Sequence, residues 1–213
     1  MADNDTSVPW VGLLDIGAIT GIALALLYIA GWSYAYHYFQ CFHLGLLGLG
    51  IEREYLFLYG FQVCIDHWFL VPLCLLVAFG LALLMQRYWQ QRPDLRFRLR
   101  AVARTGGPIG LLLLFIIFYQ LGAWTGHDMF AQEQRSDFLD YSRVKVWLKD
   151  KQDKRGEDWA KGCHRLLLRG KEQLYLFRPD GVSERLPTEI VPKSEVKAVR
   201  VLPLYQTTVE CRD

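Results

Sequence analysis

Three long apolar runs dominate the first 126 residues, and a shorter alternating pattern fills the rest. From Val11 to Phe39 the chain is almost uniformly apolar. A hydrocarbon core ~30 Å thick needs about 20 helical residues, so this run predicts a membrane span with length to spare. Asp5, Thr6, Ser7 and Pro9 before it offer helix caps and a first-turn proline. Trp68 to Gln86 and Pro108 to Trp124 predict a second and a third span, the one capped by Asp66 and the other opened by Gly106, Gly107 and Pro108. The expected spans are about 11–36, 66–88 and 107–126.

Residues 40–65 are apolar but carry Glu52, Arg53 and Glu54 in their middle. A charge at a bilayer centre costs roughly 2.5–3.5 kcal/mol on insertion scales. Gly45, Gly48 and Gly50 break the first half. The segment therefore predicts a glycine turn and an interfacial helix on the outer leaflet.

Beyond Asp128 the period changes. Residues 142–149 alternate basic and apolar side chains, which is a strand pattern. HRLLLR (164–169) and QLYLFR (173–178) flank Gly170, Lys171 and Glu172 and predict a hairpin. Pro179, Asp180 and Gly181 predict a turn. TEIV (188–191) and KAVRVL (197–202) predict two further strands, and the stretch around 150–162 reads as a charged loop. The expected architecture is membrane α-helical, three transmembrane helices plus an interfacial helix, with a small C-terminal all-β domain, SH3-like or open-sheet. Its bounds are a tail (1–10), a membrane domain (11–126), a linker (127–141) and a β domain (142–213).

Charge orients this scheme. The formal net charge is only +2, but residues 1–126 hold seven of the 24 basic side chains. Six of those seven are Arg87, Arg92, Arg96, Arg98, Arg100 and Arg104, in one short loop (87–104) between two predicted spans. Arginine-rich loops stay in the cytoplasm, so the N-terminus is expected inside and the C-terminal domain outside, in the periplasm of a bacterial inner membrane. Beside two spans these arginines are expected to meet anionic headgroups, not nucleic acid. The acidic start and the length of the first apolar run do not fit a secretory signal peptide.

Candidate chemistry is sparse. His37, His43, Asp66, His67 and His127 fall at or near predicted span ends and are the candidate metal or haem ligands. No HxxxH, CxxC, HExxH, GxSxG or phosphate-loop spacing supports them or a catalytic site, so no cofactor is expected. Cys163 and Cys211 are an expected disulfide pair across 47 intervening residues. Cys41 and Cys64 are a second possible pair. Gly17 and Gly21 form a GxxxG motif that predicts close helix packing, and Gln120 is expected to face another helix. The pattern is that of a non-enzymatic membrane protein that binds a partner protein or a second copy of itself, in an accessory, envelope or immunity-type role. The alternatives are a channel or transporter subunit, and a redox or metal-dependent protein using the outer histidines.

Overall fold

The computed structural model describes residues 10–73, 76, 80, 96–150, 153–179 and 185–203, with the backbone alone for 10–16 and 96–108. The chain forms two compact units, Met1–Tyr34 with Glu54–Gly122 and Ala35–Arg53 with Ala123–Asp213.

The apolar runs become helices. Helix α1 is Trp10–Gln40, α2 is Arg53–Asp66 and α3 is Arg96–Arg135. Two stretches, Gly17–Gln40 and Ile109–Arg135, are long and apolar enough to cross a membrane by length and composition. The second expected span lies largely outside the described residues; 70–73, 76 and 80 are helical. Helix α3 runs through Gly106, Gly107 and Pro108, which were expected to open a new span. Arg96, Arg98, Arg100 and Arg104 thus belong to a helix, whereas Arg87 and Arg92 lie outside the described residues. Arginine, leucine and alanine are good helix formers, and Pro108 removes only one backbone bond.

In the 40–65 segment a single 3-10 turn at Leu46–Gly48 is followed by α2. Helix α2 packs antiparallel along α1: a Cβ built on Gly31 would lie 1.8 Å from Leu56 O, and one on Gly60 would lie 2.0 Å from Leu27 O. Tyr28 meets Phe57 and Tyr34 meets Tyr59 along the same contact. The rest of α2 exposes Leu58, Phe61 and Ile65 together with Arg53, Glu54, Gln62 and Asp66. Helix α3 approaches α1 where Gly122 meets Ala30 O and Ser33 Cβ, and Ser33 Oγ donates to Tyr119 O at 2.6 Å. Among the described residues, a Cβ on Gly17 or Gly21 meets nothing within 4 Å, and Gln120 is exposed.

In the second unit the strands fall where alternation put them. They are β1 (Arg143–Leu148), β2 (His164–Arg169), β3 (Gln173–Phe177), β4 (Thr188–Pro192) and β5 (Val196–Val201). They form one antiparallel sheet of order β4-β3-β2-β1-β5, which among the described residues is open, with β4 and β5 at its edges. The register places Val144 opposite His164 and Val201, Arg165 opposite Phe177, and Phe177 opposite Thr188. One face gathers Val144, Val146, Leu148, Leu174, Leu176 and Val191 around Trp159. Trp159 comes from α4 (Arg155–Lys161), a short helix inside the expected charged loop, so the unit is mixed α and β. Burial of this one indole, 3% exposed, holds a helix that local sequence alone does not announce. Gly162, at φ +86°, ends it. The expected turn at Asp180 and Gly181 lies outside the described residues.

Candidate functional site

Both long helices end in the second unit by the same device. At the end of α1, Leu44 N–H donates to Phe39 O and His43 N–H to Gln40 O. At the end of α3, Phe138 N–H donates to Glu133 O and Asp137 N–H to Gln134 O. These are paired helix-closing bonds of the Schellman type, with His43 (φ 56°) and Asp137 (φ 53°) in the left-handed position usually given to glycine. Both closures turn the chain so that an aromatic residue points inward.

Phe42 stacks edge-on against Phe130, Phe138 and Phe177 at centroid distances of 5.2, 6.0 and 5.0 Å. Phe138 and Tyr141 complete the contact with Phe177 of β3. Phe42 and Phe177 are fully buried. The second face of the sheet is thus seated on the ends of α1 and α3. Each such edge-to-face pair adds about 0.5–1.5 kcal/mol beyond area burial.

Polar groups pin this seat. The Tyr38 hydroxyl donates to the buried Glu133 carboxylate and accepts from the Tyr141 hydroxyl. Arg165, 2% exposed, donates through Nη1 to Phe138 O and Tyr141 O, both at 2.7 Å, and its Nη2 lies 3.4 Å from Asp137 Oδ2. The guanidinium therefore satisfies carbonyls freed by the α3 closure. Burial lowers the Arg165 pKa and Asp137 opposes that shift. Leu186 N–H donates to Cys41 O at 2.8 Å, and Tyr175 Oη to Gly48 O at 3.3 Å. On the opposite face, Glu189 accepts from the Trp159 indole and lies 3.8 Å from His164 Nε2.

Two of the candidate metal ligands come together. The His37 and His127 rings lie 5.3 Å apart, with Cys41 Sγ 3.7 Å from His127 Nδ1. Burial pushes the Cys41 thiol up, with Arg185 acting the other way. His43 serves the α1 closure. Asp66 accepts from Gln62 at 3.0 Å and His67 Nδ1 lies 3.2 Å from Val63 O, both in the first unit. Among the described residues, no group of three His, Cys, Asp or Glu side chains is arranged to hold a metal ion.

Cys163 is disulfide-bonded, while its expected partner Cys211 lies outside the described residues. Cys41 and Cys64 are each a free thiol, not a second bridge. Cys41 belongs to the second unit beside His127, whereas Cys64 lies on α2 in the first. Arg165, Glu133 and Tyr38 were not singled out by their sequence setting. An arginine at the start of a short strand, as in HRLLLR, reads as solvated, and nothing local marks it as buried.

Compared with known proteins, the chain matches no family model, no curated protein and no solved structure.

Proposed function

We propose that this chain is a multi-pass inner-membrane protein whose C-terminal sheet binds a partner protein outside the cytoplasm. The observation that carries the reading is the aromatic seat. Within the second unit the sheet packs on residues 35–42 and 123–141 through a buried aromatic and arginine network. A sheet held this firmly within its own unit offers preformed edges, which is what a docking module needs. Membrane residence is supported by the exterior of the first unit, where Ile109, Leu112, Leu113, Ile116 and Ile117 of α3 are all exposed. The 66–88 run would supply a third crossing. The arginines at 87–104 would lie in the cytoplasm against anionic headgroups, with the N-terminus on the same side.

Chemical crosslinking in native membranes tests this. One dominant heterologous partner, joined to the sheet unit, is the expected result. Only self-crosslinks would refute partner binding and leave a homo-oligomer. A second reading, a membrane redox or metal-dependent protein, draws on the meeting of His37, His127 and Cys41. An optical spectrum and metal analysis of the purified protein decide it: no haem band and no bound metal would remove it.

A further inference from the structure

We infer that the outer edge of β5 accepts an extended segment of the partner as a sixth strand, one that alternates carboxylate and apolar side chains. This rests on the partner-binding reading above and names its surface. Leu202 N–H donates to Arg143 O at 2.8 Å, which sets the phase of the β1–β5 ladder. In an antiparallel pair successive residues alternate in the direction of their amide groups. Ala198 and Arg200 therefore face β1 with N–H and C=O, and Val199 and Val201 turn theirs outward. Among the described residues β5 pairs with β1 only and stands at the end of the sheet.

The side chains state what the added strand should carry. Val199 and Val201 are 39% and 55% exposed and stand opposite the fully buried Val146 and Val144. An apolar residue beside each would extend those two core rows by one strand. The other face of the ladder sets Lys145 directly opposite Arg200. Like charges in register repel, and a carboxylate on the next strand would relieve them. Together β1 and β5 hold Arg143, Lys145, Lys197 and Arg200 and no acid. The same cations oppose pairing of β5 with a second copy of itself. The edge at β4 is a poorer template, because it ends in Pro192 and carries Glu189.

The test uses the full chain in detergent micelles and a fluorescent peptide of about eight residues alternating Glu and Val. Controls are a Lys–Val peptide and an isomer with all Glu before all Val. The alternating acidic peptide should bind, the controls about tenfold or more weaker. Val199→Pro should weaken it by a similar factor, since it removes an outward N–H and spares the β1 ladder. Lys197→Glu with Arg200→Glu should shift preference to the Lys–Val peptide. Equal binding of the acidic isomer, or no effect of Val199→Pro, would overturn strand addition. If a variant fails to fold, hydrogen exchange on the unaltered chain decides: peptide should slow exchange at Val199 and Val201, and unchanged exchange overturns the inference. A photo-crosslinker at Val201 or at Ile190 in native membranes separates the two claims. Adducts with an acidic partner segment at Val201 support both. Partner adducts at Ile190 alone keep partner binding and overturn the β5 edge. Self-adducts at Val201 overturn the choice of occupant. No protein adduct at either position counts against partner binding itself.

Discussion

Replacing Gly31 by alanine tests the helix contact on which the first unit depends. The new Cβ would lie 1.8 Å from Leu56 O, 2.6 Å from Gly60 N and 2.9 Å from Leu56 C. All three atoms are backbone, so no side chain can rotate away. The helices must separate by about 1.5 Å to restore an ordinary contact. Overpacking of this kind costs about 1–3 kcal/mol, and a backbone obstacle puts Gly31→Ala at the upper end. Part of the ring contacts Tyr28–Phe57 and Tyr34–Tyr59 would be lost with the separation. Gly17→Ala is the matched control. Its Cβ meets nothing within 4 Å among the described residues, so it should leave stability unchanged or raise it by up to about 1 kcal/mol through helix propensity. Gly60→Ala should resemble Gly31→Ala, and the double variant should cost less than the two singles summed, because both open one interface. The assay is the unfolding midpoint of the purified chain in detergent, followed by circular dichroism at 222 nm. A Gly31→Ala protein that melts with the unaltered chain, or a Gly17→Ala protein as damaged as Gly31→Ala, would refute close packing of α2 on α1.

Three further outcomes follow from the second unit. Phe42→Ala should cost about 3–5 kcal/mol, since it empties the centre of the seat; urea titration read by tryptophan fluorescence checks it. Burial holds the His164 imidazole below its ordinary value, with Glu189 opposing. The unfolded chain therefore binds more protons, so stability should be full above about pH 6.5 and fall as the pH drops below that. His164→Gln should flatten that acid-side loss in a pH series of midpoints, and an unchanged slope would count against it. Cys163→Ser, or reduction of the unaltered chain, should lower stability by about 2–4 kcal/mol through loss of its bridge; equal midpoints with and without reductant would contradict this.

Much of the fold is legible in the chain because it rests on local pattern. The apolar runs at 11–39 and 108–124 announce helices by length and composition, and α1 and α3 contain them. Alternation places β1 to β5 within a residue or so of their observed ends, and Gly170, Lys171 and Glu172 announce the β2–β3 hairpin. The candidate site is less legible. The sequence offers four histidines near span ends as equals, His37, His43, His67 and His127, but of these only His37 and His127 meet. His43 is taken up by a helix closure that its residue type does not advertise, since that position usually falls to glycine.

What the sequence determined by itself is the set of apolar helices, the five strands and the segregation of charge, because hydropathy and periodicity are properties of neighbouring residues. Tertiary structure decided which glycines are contacts. Gly31 and Gly60 are 29 residues apart and no spacing links them, whereas Gly17 and Gly21 have the spacing but meet nothing within 4 Å among the described residues. It also decided that Trp159 would make a helix from a charged stretch, and that Arg165 would be buried on the carbonyls of Phe138 and Tyr141. The physical reason is the same in each case. A close approach, a buried indole or a satisfied buried cation depends on what the distant partner supplies, and a local pattern carries no information about that partner.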